Sequence, residues 1–278
     1  MFSAIISDLD GTLLNDRHRI SARTATLLHH FRQQGTELVL ATGRHAMDVE
    51  QILTAAGLSA WRLTCNGARV QTPDGHLMLS RNLPDTLMTT LTQRLLDEPQ
   101  LSVHLYTDHC WYYSSQTGGQ DSFAEDMLLP RCRFDRNSLP SDPVIKLFCC
   151  CQDTALLASL QTQLTREFGR QLSVTCSFPW CMEIMAVGVS KGWALSYLAR
   201  QRGWQLDDCV AFGDGMNDLE MLQAVGRSVL VANADARLGT GLPRAEHTCS
   251  NVDQGVAVWL ERQLASSLPT EPMEYRAS

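Results

Sequence analysis

Apolar positions in this chain come in short blocks that stop abruptly at polar clusters. Residues 2–7 form a mostly apolar run that breaks at Asp8-Leu9-Asp10-Gly11-Thr12. That pattern fits a buried strand whose C-terminal end delivers two carboxylates. Ser21 then stands where a helix N-cap belongs, ahead of a helical stretch reaching about residue 34, with Gly35 at its stop. Residues 36–41 are a second apolar run, ending at Thr42-Gly43-Arg44. A helix carrying Met47, Ile52, Leu53 and Ala56 follows and stops at Gly57. Strand and helix alternating in this way predict a parallel sheet with helices on both faces, an α/β core.

The middle of the chain departs from that alternation. Residues 83–186 mix a helical pattern at 154–168 with strand-like pieces at 102–106, 111–114 and 145–151, punctuated by Pro130, Pro140 and Pro143. An inserted α+β domain is expected there. The alternation then resumes with a helix near 191–202 and a strand at 209–212 that runs into Gly213-Asp214-Gly215-Met216-Asn217-Asp218. A helix to about residue 224 and a short strand at 228–231 complete it. The expected organisation is a core from residues 1–82 and 187–265, a cap at 83–186, and a loose tail at 266–278 that carries Pro269 and Pro272.

Composition narrows the function classes. The chain has 278 residues, 44% hydrophobic and 19% charged, so it can bury sizeable cores and lacks the bias of disordered or collagen-like sequences. A net charge of −7 supplies no global basic field for nucleic acid or an anionic membrane surface. An anionic ligand must therefore be held by local cations. The ten cysteines include three consecutive ones, Cys149, Cys150 and Cys151, whose side chains would alternate across a strand, and no C-x-x-C pair occurs. They are expected to be reduced and mostly buried. The apolar start is cut by Asp8 and Asp10, and no apolar stretch approaches the ~18 residues of a membrane span. The expectation is a cytoplasmic protein with neither membrane nor nucleic-acid partners, a monomer or weak homodimer.

The polar clusters fall at strand ends, where ligands bind in open parallel α/β sheets. Asp8, Asp10 and Asp214 make an all-oxygen set, which favours Mg²⁺ over zinc, and three carboxylates would repel one another without a cation. Alone, the first cluster would read as a turn with an aspartate cap, Thr42 as an N-cap and Lys191 as a solvated lysine. Two carboxylate clusters at separate strand ends make the accidental reading untenable.

Four stretches in this order resemble the motifs of the haloacid dehalogenase (HAD) superfamily of phosphohydrolases: Asp8 to Thr12, Thr42, Lys191, and Gly213 to Asp218. Ala41-Thr42-Gly43-Arg44-His45, Cys65-Asn66-Gly67 and the stretch from Gly213 to Leu222 further resemble its Cof-type branch. The resemblance implies a Rossmann-like core with an inserted cap, and Asp8 as nucleophile with Asp10 as acid and base. It implies Asp8, Asp10, Asp214 and Asp218 around Mg²⁺, with Asp218 acting through a water. Leu9, Thr42, Gly43, Arg44, Asn66, Lys191 and Asn217 would then meet the substrate or its phosphate, with Thr42, Lys191 and Asn217 also counted as catalytic. Asn217 would complete the phosphate pocket or orient Lys191.

The chemistry agrees with those roles. An aspartate attacking phosphorus splits hydrolysis into two easier steps, a second carboxylate can move the protons, and an ammonium, a hydroxyl and an amide can stabilise the transferring group. His45 is expected to support or cap rather than to react. Trp111, Trp180 and Met182 are expected mainly in the cap core, with Trp111 as a surface on which an aromatic heterocycle could stack. The substrate implied by the resemblance is the pyrophosphate of the thiamin pyrimidine, hydroxymethylpyrimidine. A sugar phosphate or pyridoxal phosphate phosphatase is the alternative, and a non-catalytic metabolite-binding protein the alternative from another class. Asp10 disfavours a dehalogenase, and the product would separate a phosphomutase.

Overall fold

A computed structural model describes residues 2–114 and 128–267 of the chain. The first half runs β1 (Ala4–Ser7), α1 (Ala22–Gln33), β2 (Glu37–Ala41), α2 (Ala46–Ala56), β3 (Trp61–Thr64), β4 (Arg69–Gln71), β5 (Leu77–Ser80), α3 (Asp85–Leu96), β6 (Ser102–Tyr106) and β7 (Trp111–Tyr113). There follow β8 (Arg131–Arg133), β9 (Lys146–Cys150), α4 (Thr154–Phe168), β10 (Leu172–Phe178), β11 (Cys181–Ala186) and α5 (Lys191–Arg202). The chain then adds β12 (Val210–Gly213), α6 (Leu219–Ala224), β13 (Arg227–Leu230), α7 (Ala236–Gly241), β14 (Glu246–His247) and α8 (Gly255–Ser267).

Eight strands make one sheet in the order β14-β13-β12-β1-β2-β3-β4-β5. From β14 to β3 the strands run parallel, as the alternation predicts, with β1 between β12 and β2. The strands β4 and β5 differ from that expectation and extend the edge antiparallel. Two short turns are the cause: Cys65–Gly67, with Gly67 at φ +95°, reverses the chain between β3 and β4, and Thr72-Pro73-Asp74-Gly75, where Gly75 takes φ +89° and its N–H donates to the Thr72 carbonyl at 2.9 Å, does so between β4 and β5. A turn returns the chain antiparallel, whereas parallel pairing needs a helical crossover.

The period of two along each strand divides the sheet's residues between two cores. Ile5, Leu38, Leu40 and Val210 pack with Leu28, Phe31, Val49, Leu53 and Trp259, under α1, α2 and α8. Their neighbours Ile6, Val39, Ala41 and Ala211 pack on the opposite face with Ala194, Leu195, Leu198, Met221 and Leu238, under α5, α6 and α7. The helix stops follow the sequence signals. Ser21 caps α1 by accepting from the Thr24 N–H, and Gly57 closes α2 in the left-handed conformation at φ +63°.

The chain leaves this sheet after β5 and returns after β11. Between those points it builds a six-stranded sheet in the order β10-β11-β9-β6-β7-β8, antiparallel except for the β7 and β8 pair. One face carries Val103, Leu105, Leu147, Cys149, Met182 and Ile184 against Leu91, Leu95, Leu157 and Leu160 of α3 and α4. The alternate positions, His104, Tyr106, Lys146, Phe148 and Glu183, fall on the other face. Among the described residues all ten cysteines are free, and seven are buried. Met182 lies in the helix-covered core. Trp111 is buried too, which removes it as a stacking surface: Arg131 already covers its ring at 4.7 Å, Tyr106 packs at its edge at 5.4 Å, and its indole N–H donates to His104. Trp180 is half-buried.

Candidate active site

Parallel strands put their C-terminal ends on one edge of the sheet, so the residues after β1, β2, β3 and β12 are gathered together. The Asp8 N–H donates to the Phe212 carbonyl at 3.1 Å, Thr42 N–H to Leu63 at 2.8 Å, and Asn66 N–H to the Thr42 carbonyl at 2.9 Å. Each polar cluster is thereby tied to the neighbouring strand end.

Asp8, Asp214 and Asp218 converge there, each offering an oxygen within 4.8 Å of the others. Two glycines permit this. Gly11 turns at φ +78°, and a Cβ on it would sit 2.4 Å from Asp214 Oδ2. Asp214 instead accepts from the Thr12 hydroxyl at 2.6 Å. Gly67, at φ +95°, lets the turn after β3 press on the start of α5, where its Cβ would stand 2.4 Å from the Ser190 carbonyl. Ser190 caps α5 through the Trp193 N–H, and Lys191 at the first position of that helix points into the carboxylate group.

Lys191 Nζ donates to Asp8 Oδ1 at 2.6 Å and to Asp218 Oδ1 at 2.7 Å. Its side chain is 1% exposed. The other oxygen of Asp218 accepts the N–H groups of Asp214 and Gly215, both at 3.0 Å. Asp218 folds its own loop with one oxygen and orients Lys191 with the other. Burial opposes the Lys191 charge, but Asp218 and Asp8 outweigh it and hold the amine above its ordinary range. Burial pushes the Asp8 carboxyl up, with the Lys191 ammonium pulling against it. The Asp214 carboxyl is raised for the same first reason, with the Thr12 hydrogen bond opposing. Three carboxylates face one ammonium, which leaves two negative charges without a counterpart. An all-oxygen donor set with that deficit suits a hard divalent cation.

Asp10 does not join this group, contrary to the four-carboxylate expectation. With Asp10 at ψ 124° and Gly11 left-handed, the turn sends its carboxylate elsewhere. The Arg44 guanidinium takes both of its oxygens, at 2.6 and 2.7 Å, and the Asp10 side chain remains 46% exposed. Leu9 is fully buried beneath the turn. The Thr42 hydroxyl accepts from Arg44 N–H at 3.1 Å, which leaves its own hydrogen to donate. Of the two roles expected for Asn217, no hydrogen bond to Lys191 is seen; its amide donates to Asn66 Oδ1 at 3.1 Å. Asn66 lies beside Gly43, where a Cβ would approach Oδ1 to 3.3 Å. His45 is buried and caps α2 through Nδ1, which accepts from Met47 N–H at 3.2 Å.

Some supporting residues were not anticipated. Asn233 donates to the Gly11 carbonyl at 2.8 Å and steadies the Gly11 turn. Asn66 Nδ2 donates to Glu183 Oε2 at 3.1 Å, which connects the site to the six-stranded sheet. Only a charge interrupting the apolar run Cys181-Met182-Glu183-Ile184-Met185 could have signalled Glu183.

The haloacid dehalogenase-like hydrolase family matches residues 5–260. An Escherichia fergusonii protein named HMP-PP phosphatase is 33% identical over 269 residues, covering 95% of this chain and 97% of that protein. A protein of the same name from Escherichia coli O6:H1 is 35% identical over 240 residues, covering 85% of this chain and 86% of that one. The crystal structure of a haloacid dehalogenase-like hydrolase from Bacteroides thetaiotaomicron superposes with a TM-score of 0.84 at 25% identity, covering 95% of this chain and 100% of that chain. The chain belongs to the haloacid dehalogenase-like hydrolases, and it is a phosphatase.

Proposed function

We propose that this phosphatase is Mg²⁺-dependent, attacks phosphorus with Asp8, and acts on 4-amino-5-hydroxymethyl-2-methylpyrimidine pyrophosphate to leave the monophosphate. The observation that carries the reading is the buried Asp8 carboxylate held 2.6 Å from Lys191 Nζ where the strand ends converge. The names of relatives at 33% and 35% identity support the choice of substrate.

An Asp8 oxygen forms a bond to phosphorus as the bond to the leaving oxygen breaks, and Asp10, released from Arg44 and protonated from solvent beforehand, supplies the proton which that oxygen needs. A water then attacks the phosphoaspartate, gives its proton to Asp10, and releases inorganic phosphate as the Asp8 carboxylate is restored. Lys191, the Thr42 hydroxyl and the Gly43 N–H donate to the phosphoryl oxygens, with Asn217 and Asn66 closing that side. Arg44 holds Asp10 in place until substrate arrives, and Leu9 contributes the backbone of the turn. Asp8 and Asp214 would hold Mg²⁺ directly and Asp218 through a water. When bound, the cation supplies the positive charge that offsets the carboxylates and the transferring phosphoryl group. Residues 83–186 act as the cap that selects the substrate over a core of residues 1–82 and 187–265. Ten free cysteines, mostly buried, support work in a reducing, cytoplasmic compartment.

The test is phosphate release from p-nitrophenyl phosphate with Mg²⁺, followed by kcat/KM for the pyrimidine pyrophosphate, pyridoxal phosphate and sugar phosphates. The expected outcome is loss of all turnover in Asp8→Asn and the highest kcat/KM for the pyrimidine. An active Asp8→Asn enzyme refutes the nucleophile, and a sugar or pyridoxal phosphate at the top refutes the substrate.

A further inference from the structure

A chain with a net charge of −7 must hold an anion with local cations, and a group of them lies beside the carboxylate cluster. A cavity of about 710 Å³ opens between α1 and α2, and its walls include Arg17, His18, Arg19, His29, Arg44 and Asp48. Asp48 is only 2% exposed, so the basic side chains dominate the surface that a ligand meets. The loop after β1 presents three of them. Asn15 Oδ1 accepts the N–H groups of Arg17 and Arg19 at 3.0 and 3.1 Å, and His18 between them turns left-handed at φ +53°. Neither the Arg17 nor the Arg19 guanidinium has a hydrogen-bond or ion-pair partner among the described residues.

The cavity adjoins the acid of the reaction. Arg44 on its wall holds both oxygens of Asp10, and His18 Nδ1 stands 3.7 Å from Asp10 Oδ1. The leaving oxygen must come within reach of Asp10 to take its proton. In a pyrophosphate ester that oxygen is one bond from a second phosphorus, so a second phosphate arrives where Arg44 and His18 already stand. An alcohol or a phenol leaving from a phosphomonoester brings no such charge. The cavity has the size of a small-molecule site, for which ~300–1,000 Å³ is usual, so it can take that phosphate and part of the group attached to it.

We propose that Arg17 and Arg19, together with Arg44, form a second anion subsite that binds the phosphate retained by the leaving group and so favours pyrophosphate esters over phosphomonoesters. The inference rests on the phosphatase reading above and names the class of substrate which that site prefers. As Asp8 bonds to the attacked phosphorus, the bond to the bridging oxygen breaks and its electron pair stays on that oxygen. The departing phosphate therefore gains negative charge, which guanidiniums already in place offset. A guanidinium fork meets two phosphate oxygens at once, which suits it to this task better than a single ammonium. Arg44 exchanges the Asp10 carboxylate for the phosphate, and Asp10 is thereby freed to take up its proton from solvent.

The test is calorimetry in the presence of Mg²⁺ with methylenediphosphonate, which carries two phosphoryl groups, and methylphosphonate, which carries one. The parent should bind the diphosphonate at least tenfold more tightly, the scale of one hydrogen bond between charged groups. Arg17→Gln combined with Arg19→Gln should remove that preference and leave methylphosphonate affinity unchanged. The same double variant should lower kcat/KM for hydroxymethylpyrimidine pyrophosphate about tenfold and spare p-nitrophenyl phosphate. A parent without the preference, a variant that keeps it, or an equal loss for both phosphonates overturns the proposal. Two methylphosphonate sites in the parent, one of them missing in the variant, would assign the cations to a free anion and overturn it as well. A best substrate that is another pyrophosphate ester supports the subsite and refutes the pyrimidine, whereas a phosphomonoester at the top refutes both. Turnover of p-nitrophenyl phosphate by Asp8→Asn would overturn the phosphatase mechanism alone, whatever the diphosphonate does.

Discussion

Gly11→Ala tests whether the carboxylate group depends on a missing side chain. At φ +78° an alanine pays about 1–2 kcal/mol for the left-handed conformation. Its Cβ would also stand 2.4 Å from Asp214 Oδ2, where an ordinary contact begins near 3.4 Å, so the carboxylate must retreat by about 1 Å. That displacement strains the 2.6 Å bond from Thr12 and misplaces Asp214 relative to Asp8. A misplacement on that scale costs roughly a hundredfold in rate. Gly35→Ala is the control, because Gly35 has φ +91° with nothing within 4 Å of its Cβ position. Both variants should lose about 2–8 °C in Tm by thermal unfolding, from the shared backbone term. Only Gly11→Ala should lose kcat/KM for p-nitrophenyl phosphate and affinity for Mg²⁺ by calorimetry. Equal kcat/KM in the two variants would show that the site tolerates a displaced Asp214, and the packing argument would fail.

Lys191→Met leaves Asp8 and Asp218 buried without their shared ammonium, so metal-free denaturation should show a loss of about 3–5 kcal/mol; a loss under about 1 kcal/mol would mean that the pair is not desolvated. Chelation should abolish turnover and Mg²⁺ should restore it, and the same ion at about a hundred times its Kd should stabilise the fold by about 2.7 kcal/mol; a Tm indifferent to Mg²⁺ would remove the cation from the carboxylate group. Burial lowers the His45 pKa from its usual 6.5, so the unfolded chain takes the proton more readily. The stability from neutral His45 is full above that unfolded value and is lost as pH falls through it toward the folded value. His45→Asn keeps a cap acceptor and removes the titration, so Tm should fall less steeply from about pH 7 to about pH 5 than in the parent; parallel slopes would contradict the assignment.

The elements that position the site were legible because local physics fixes them. Asp8 and Asp214 end apolar runs, and a parallel sheet brings such ends to one edge whatever the intervening chain does. Ser21 and Gly57 bound their helices through contacts a few residues away. Side-chain partners across the site were not legible. The Arg44 fork on Asp10 joins residues 34 apart and the Asn217 bond to Asn66 joins residues 151 apart. Those pairings depend on how loops of several strands aim their side chains, which no periodicity encodes. Trp111 lies in the cap core as mainly expected, and its loss as a stacking surface was not legible for a related reason. A large aromatic in a cap can face a ligand or a packed layer, and here Arg131, His104 and Tyr106 fill the space around it.

Lys146 and Glu183 lie between these cases. Along β11, Met182 and Ile184 face the helices, and along β9, Leu147 and Cys149 do the same. Alternation then assigns each strand's charge to the opposite face of the sheet. Two strands that each place one charge of opposite sign on one face will pair those charges if the strands are neighbours. The missing fact is strand order. β10 intervenes in sequence but pairs on the far side of β11, which leaves β9 and β11 adjacent. A buried charge interrupting an apolar strand therefore signals an unsatisfied partner on that face even before the topology is known. In this fold the partners it finds are Lys146 and the Asn66 amide that borders the phosphate loops.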